Sequence, residues 1–296
     1  MKRCIIANPS AGTAGPPEDL RAKFRALDPI EFFLTADAGD AKRFAEEAVR
    51  DGYDMIIIAG GDGTLNEVIN GVAPHEAGVA LALAPSGTGN DFGRALGLPD
   101  TLEACLDLVV AGQTRPIDVV RVTSDQVRYF LNVSAGGFSG VVDEKMTPEM
   151  KQSWGPLAYL RGAAAALPEL RAYRTKITLD DAEIIEENLY NIVIANGRFV
   201  AGGIPITPAA ELDDGLLDIV LIPDKSGAAA LTILGAQVLL GTHLESDAII
   251  FRRAAKIGVQ SRPGMWFNVD GELVGNEPAV FEVLPRAINF VAPQKT

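Results

Sequence analysis

The chain has 296 residues, of which 48% are hydrophobic and 22% charged, enough to fill the cores of two ordinary domains. Its formal net charge of −13, from 39 acidic against 26 basic side chains, argues against a nucleic-acid partner, because holding a phosphate backbone requires Lys and Arg. Two cysteines, Cys4 and Cys105, supply neither a disulfide framework nor a metal knuckle and read as buried, reduced thiols.

The apolar run Cys4 to Ala7 is too short for the hydrophobic region of a signal peptide, so the cytosol is the expected compartment. Up to about Val122, short apolar runs alternate with helix-like segments. Strands are predicted over Arg3–Ala7, Glu31–Leu34, Met55–Ala59, Val79–Ala84 and Ile117–Val122. Helices are predicted over Glu18–Ala26, Asp40–Arg50, Leu65–Val72 and Leu102–Val110. This pattern implies βαβ units and an open parallel sheet, which binds ligands at the carboxyl ends of its strands.

From about Thr123 the texture changes to extended runs punctuated by Gly, Pro and Asp. They cover Val127–Val133, Lys176–Leu179, Leu189–Ala195, Leu217–Ile222, Trp266–Val269 and Val280–Leu284, with helices near Gly155–Leu170 and Ala228–Leu244. The fold class read from this is α/β: an N-terminal open parallel α/β sheet followed by a C-terminal antiparallel β-sandwich domain. The boundaries expected are an α/β domain over 1–122, a β-rich domain over 123–285, and a tail over 286–296 returning to the first. A cleft between two such domains is the expected substrate site. The uncharged stretch Ser226–Leu244 is diluted by Thr232, Gln237 and glycines, so it reads as a packed or interfacial helix rather than a membrane span. Arg252, Arg253 and Lys256 are the nearest approach to a basic patch, and a solvated face accounts for them.

The strongest local signal is Gly60-Gly61-Asp62-Gly63-Thr64, between a buried-strand pattern and a helix predicted to begin around Leu65. Glycines let backbone amides approach an anion, and the helix N-terminus adds a favourable dipole. The loop is not a Walker A sequence, and Asn66 stands where a Rossmann fingerprint needs its third glycine. Asp62 would repel phosphate unless a divalent cation stood between them; the plain alternative is an Asp-Gly turn. Asn8-Pro9-Ser10-Ala11-Gly12 follows the first strand and Pro85-Ser86-Gly87-Thr88-Gly89-Asn90-Asp91 the fourth, so three such loops converge on one sheet edge.

The run Gly60 to Val68, with Gly87-Thr88-Gly89-Asn90-Asp91-Phe92, closely resembles the diacylglycerol kinase family in its bacterial lipid-kinase branch, kin to sphingosine and ceramide kinases. Asn8 to Gly12 looks like that family's opening nucleotide loop. Gly202-Gly203, Pro208, Asp213 to Leu216 and Asp270-Gly271-Glu272 follow in the family's order, while Ser86 departs from its more usual leucine. The resemblance implies an NAD kinase/diacylglycerol kinase-like first domain and a site for ATP. That site would be formed by Asn8, Pro9, Ser10, Ala11, Gly12, Thr35, Gly60, Gly61, Asp62, Gly63, Thr64, Leu65, Asn66 and Thr88. It implies Mg2+ held at Asp62, and Glu272 as the base that accepts the acceptor hydroxyl's proton.

A second metal site is implied at the Asp214 carboxylate with the carbonyls of Glu211 and Leu216, joined through water by Asp118, although Asp214-Gly215 is also good hairpin chemistry. Asp91 is a candidate for contacting the acceptor hydroxyl, with capping of the following helix an equal reading. The implied activity is transfer of the ATP γ-phosphate to a lipid hydroxyl, with transient contact at the inner membrane face; a homodimer is left open. Three alternatives remain. An NAD kinase shares the Gly-Gly-Asp-Gly-Thr loop. A non-catalytic nucleotide sensor would have no need of both Asp62 and Glu272. A serine hydrolase lacks its Gly-x-Ser-x-Gly elbow and has only His75 and His243 to serve as base.

Overall fold

A computed structural model describes residues 1–12, 21–75, 78–139, 170–225, 228–276 and 278–294. The helix expected near Gly155–Leu170 lies outside the described residues but for Leu170, and of Glu18–Ala26 only Arg21 onward is described. The chain forms two compact units, Met1–Val119 with Pro285–Thr296, and Val120–Leu284.

In the first unit, β1 (Arg3–Ala7), β2 (Glu31–Leu34), β3 (Met55–Gly60) and β4 (Ala80–Pro85) form a parallel sheet in the order β2-β1-β3-β4. All six residues of β3 are buried, as a strand covered on both faces requires, which is why its sequence is a continuous apolar run. Among the described residues this unit includes the helices α1 (Asp40–Arg50), α2 (Asp62–Val72), α3 (Asp91–Leu96) and α4 (Leu102–Ala111). The sheet core gathers Ile5, Met55, Ile57, Ala82, Leu106, Val109 and Val291.

One boundary differs from expectation in a way that matters for the site. Helix α2 begins at Asp62, three residues before Leu65, with Gly61 as its extended N-cap and Leu65 N–H donating to the Gly61 carbonyl at 3.0 Å. Asp62, Gly63 and Thr64 are therefore the first turn of a helix rather than a loop.

Strand β5 (Thr114–Thr123) carries the chain out of the first unit, and β17 (Ala279–Val291) brings it back, where Asn289 and Phe290 pair in parallel with Ala80 and Leu81. Between them the second unit opens with β6 (Val127–Phe130), β7 (Val133–Gly137), β8 (Tyr173–Leu179) and β9 (Glu183–Ala195). The short pair β10 (Phe199–Val200) and β11 (Ile204–Pro205) comes next, followed by β12 (Leu217–Pro223) and α5 (Ala228–Leu240). The unit ends with β13 (Ile250–Ala254), β14 (Lys256–Arg262), β15 (Phe267–Val269) and β16 (Glu272–Gly275).

This is the β-sandwich domain, and its pairings around β9 are antiparallel. The first half of β9 pairs with β8 and the second half with β7 and β12. Alternation is clean where one face is wet: along β8, Tyr173, Thr175, Ile177 and Leu179 are buried while Arg174 and Lys176 are exposed. The inward side chains join a core that includes Phe130, Ile192, Ile219, Phe267 and Phe281.

Helix α5 stops at Leu240, four residues short of the predicted end, because Gly241 takes a left-handed φ of +70° and its amide turns back to the Val238 carbonyl at 3.1 Å. Among the described residues no helix is long and apolar enough to cross a membrane.

Just beyond this stop, His243 is 1% exposed. Its Nε2 lies 2.8 Å from the Ile206 carbonyl oxygen, which can only accept, so Nε2 carries the proton and Nδ1 is buried without a partner among the described residues. Burial holds the imidazole below its ordinary value of 6.5, against the opposing pull of the Ile206 bond. An unfolded chain therefore takes up this proton before the folded one does. Stability contributed by His243 is complete above 6.5 and is lost as pH falls from there toward the lower folded value. Thermal melting from neutral to mildly acidic pH should show a loss that a His243→Gln variant lacks; identical pH slopes for the two proteins would contradict this.

Candidate phosphate-binding site

The loops after β1, β3 and β4 meet backbone to backbone. A Cβ placed on Gly12 would stand 2.6 Å from the Ser86 carbonyl oxygen, and one on Gly87 would stand 2.6 Å from Gly61 Cα. Real Cβ contacts do not reach these distances, so the residue type at Gly12 and Gly87 is dictated by the meeting of the loops. Hydrogen bonds fix the register: Asn8 N–H donates to the Ala59 carbonyl at 2.9 Å, Ser86 N–H to the Gly60 carbonyl at 3.0 Å, and Asn8 Nδ2 to Thr64 Oγ1 at 3.4 Å. Within the first loop, Asn8 Oδ1 accepts from Ser10 N–H at 2.9 Å and the Asn8 carbonyl from Ala11 N–H at 3.1 Å, a local turn that also sets Pro9. Thr35 sits at the end of β2, tied to the Ala7 carbonyl through its amide at 2.9 Å, and Thr88 is exposed in the third loop.

What the three loops surround is the N-terminus of α2. Leu65 N–H makes the first intrahelical bond at 3.0 Å, so the amides of Asp62, Gly63 and Thr64 have no helical partner. Orphan amides at the positive end of an eleven-residue helix have the donors and the dipole that suit an anion. Leu65 and Asn66 follow as buried residues that seat this end of the helix, and Asn70 Nδ2 holds the Asn66 carbonyl at 2.9 Å.

Asp62 lies in that first turn, yet its carboxylate reaches across to the third loop. Oδ2 accepts from Asp91 N–H at 3.3 Å and Oδ1 from Phe92 N–H at 3.4 Å. It therefore serves the start of α3, which the structure does not assign to Asp91 as cap: Asp91 is 6% exposed and its Oδ1 bonds Arg94 at 2.9 Å. Asn90 completes the turn in a left-handed conformation, φ +51°, and its Nδ2 donates to the Gly87 carbonyl at 2.8 Å. Asn90 and Arg94 are organisers that local reading of the sequence passes over, although the run Gly-Asn-Asp is a recognisable turn signal. Both amide bonds to Asp62 are long and the residue is half-buried, which leaves lone pairs for a further ligand. Such a carboxylate fits Mg2+, which takes one or two carboxylates and completes its shell with phosphate oxygens and water.

In the second unit Glu272 is exposed and opens β16 directly after a two-residue turn, with Val269 paired to Glu272. Asp270 and Gly271 both have positive φ, +45° and +97°, the conformation of a type I′ hairpin. The Asp270 carboxylate anchors the turn by accepting from Val133 N–H at 2.9 Å and Leu131 N–H at 3.2 Å. Glu272 is thus an exposed acid on a fixed corner.

Asp214 is placed differently from the implied metal ligand. One carboxylate oxygen accepts from Leu216 N–H at 3.0 Å and the other is bound by the Arg253 guanidinium, whose Nε also holds Asp218 at 2.7 Å. A cation joining Asp214 to the carbonyls of Glu211 and Leu216 would compete with that guanidinium, so these residues as placed do not fit a metal. Among the described residues no group of three or more His, Cys, Asp or Glu has metal-binding spacing. Asp118, in the first unit, is fully buried and accepts from Arg286 N–H at 2.7 Å, where Arg286 turns with φ +51°.

A parallel α/β sheet with glycine loops meeting at one edge, followed by a β-sandwich, is the fold on which the comparisons bear. Residues 2–122 match the family described as diacylglycerol kinase catalytic domain, and residues 132–292 the YegS C-terminal NAD kinase beta sandwich-like domain. Diacylglycerol kinase of Staphylococcus aureus (strain MRSA252) is 33% identical over 293 residues, covering 98% of this chain and 91% of that protein. Its counterpart from Staphylococcus haemolyticus (strain JCSC1435) is 33% identical over 300 residues, covering 99% and 89%. A crystal structure from Bacillus anthracis str. Sterne, provisionally named a diacylglycerol kinase, is 26% identical with a TM-score of 0.83, covering 99% of this chain and 95% of that one. An NAD kinase from Archaeoglobus fulgidus, solved with ATP, shares the fold at 14% identity and a TM-score of 0.56, covering 99% and 94%. The chain belongs to the diacylglycerol kinase family, and so to the phosphotransferases.

The glycines can be told apart by experiment. Gly87→Ala should destabilise by about 1–3 kcal/mol, as overpacking does. Gly63, in the same region, has nothing within 4 Å of an added Cβ. Alanine there should stabilise by about 0.5–1 kcal/mol, because it removes a glycine from a helix. Urea unfolding of both variants checks this; a neutral Gly87→Ala or a destabilised Gly63→Ala would contradict the packing described.

Proposed function

We propose that the protein is an ATP-dependent lipid kinase that transfers the γ-phosphate to a lipid hydroxyl, with diacylglycerol or a related lipid as acceptor. The observation that carries this reading is the ring of three glycine loops around the free amides of α2, with Asp62 beside them. The kinship with proteins named diacylglycerol kinase supports the acceptor class.

In this reading the amides of Asp62, Gly63 and Thr64 hold the phosphate oxygens, Asn8 to Gly12 and Thr35 wall the nucleotide, and Thr88 and Asn66 border the phosphates. Asp62 would hold Mg2+, which would supply charge neutralisation on the phosphate tail. Positioned amides stabilise the charge of the transferring group because they are already oriented before it arrives. The lipid hydroxyl oxygen forms a bond to the γ-phosphorus while the bond from that phosphorus to the β–γ bridging oxygen breaks. The hydroxyl proton passes to the Glu272 carboxylate, and ADP leaves. Asp91, clamped by Arg94, borders the acceptor side of the third loop. Such a protein works in the cytoplasm and meets its acceptor at the membrane surface.

The test uses radiolabelled ATP with dispersed diacylglycerol in one arm and NAD in the other, since an NAD kinase would phosphorylate the second. Labelled lipid is expected. Asp62→Ala should abolish nucleotide use, whereas Glu272→Gln should keep thermal protection by Mg-ATP while lowering turnover about a hundredfold or more. Wild-type turnover in Glu272→Gln would remove Glu272 from the mechanism, and labelled NAD without labelled lipid would replace the acceptor.

A further inference from the structure

The outward face of β9, β8 and β14 carries a concavity of about 700 Å³ that the reading above does not use. Strand pairing fixes which side chains share it. Arg262 on β14 stands directly opposite Arg174 on β8, which in turn stands opposite Asn188 on β9. In the next row Gln260, Lys176 and Glu186 are opposed, and in the row beyond them Gly258, Thr178 and Ile184, with Val280 of β17 beside Gly258. Residues two apart on a strand lie on the same face, so the Arg pair, Lys176 and the apolar row form one surface.

Two guanidiniums directly opposed on neighbouring strands repel each other and weaken the pairing. A chain of net charge −13 has acids to spare for its cations. In this same unit Arg121, Lys225, Arg252, Arg253 and Lys256 each hold a carboxylate. Arg174, Lys176 and Arg262 line the concavity with no carboxylate bound to any of them among the described residues. The acids present do not cancel them: Glu187 is taken by Lys225 at 2.7 Å, which leaves Glu186 against three cations.

We infer that this concavity is a binding site for a phosphate-bearing anion, clamped by Arg174 and Arg262 and assisted by Lys176. A guanidinium offers two parallel N–H donors to a phosphate, and an anion between two of them turns their repulsion into shared attraction. The volume exceeds what one phosphate fills, so the group that carries the phosphate also fits. Ile184 and Val280, 58% and 38% exposed, lie one register row beyond Lys176 and Gln260 and offer apolar surface on the same face. A phospholipid headgroup and a soluble phosphate compound present the same chemistry to these residues. The inference does not rest on the lipid-kinase reading, because it concerns neither the nucleotide loops nor Glu272.

The test uses the full chain without ATP in two arms: flotation with phosphatidylcholine vesicles made with or without phosphatidylglycerol, and calorimetric titration with pyrophosphate. Binding is expected in at least one arm, weakened by salt and weakened about thirtyfold in the double variant Arg174→Gln/Arg262→Gln, the product of two lost cation contacts. Binding to the anionic vesicles alone would assign the headgroup as the source, and binding to pyrophosphate alone would assign a soluble phosphate; either sustains the site. The double variant should melt at or above the wild-type temperature, since it removes a repulsion. No binding in either arm, unchanged binding by the double variant, or a lowered melting temperature would overturn the proposal. Thermal protection by Mg-ATP, measured on the same double variant, should be unchanged, which separates failure here from failure of the kinase reading.

Discussion

The approach of three backbone loops to distances that no side chain tolerates is the constraint on which the glycine-walled edge depends. Gly12 against Ser86, and Gly61 against Gly87, leave room for hydrogen and nothing larger. Because those contacts are made beside the start of α2, its first amides are held in direction by the loops themselves. Donors fixed in this way need no reorganisation when charge arrives, which is the condition under which hydrogen bonds do most for transfer of a phosphoryl group. The Asp62 carboxylate extends the same logic to the third loop by accepting the first amides of α3.

The β-sandwich unit fixes its acid by a related device. A left-handed Asp270 and Gly271 make the tight turn, and the Asp270 carboxylate locks it onto the amides that begin β7. Glu272 rides on this corner with its side chain in solvent. Behind it, Phe267, Val269 and Val274 belong to the core, so the frame is rigid where the carboxylate is free. Several of the unit's other acids are engaged with cations, Asp214 and Asp218 with Arg253 above all; burial raises the Asp218 carboxyl against the lowering effect of that guanidinium.

Local features of the fold were legible in the sequence. The strands over Arg3–Ala7 and Glu31–Leu34 have their predicted bounds, because both are short apolar runs bounded by turns, the first buried and the second half-buried at the edge of the sheet. The early start of α2 was not legible, since aspartate, glycine and threonine have poor helical propensity and only Gly61 as cap makes Asp62, Gly63 and Thr64 a first turn. Contacts between distant residues were hidden too. Asp62 meets Asp91 and Phe92 across 29 and 30 positions, and Arg253 meets Asp218 and Asp214 across 35 and 39. The charges make the same point in reverse. Arg252, Arg253 and Lys256, adjacent enough to resemble a patch, are each neutralised by a carboxylate. Arg174, Lys176 and Arg262 are spread over two segments and come together only through strand register.

Hydrogen–deuterium exchange of the full chain, with and without Mg-ATP, tests most directly whether the glycine-walled edge is where phosphate is held. Slowed exchange is predicted together at the amides of Ser10 to Gly12, Asp62 to Thr64 and Gly87 to Asn90. Unchanged exchange at those three segments, under conditions where ATP demonstrably binds, would contradict the account.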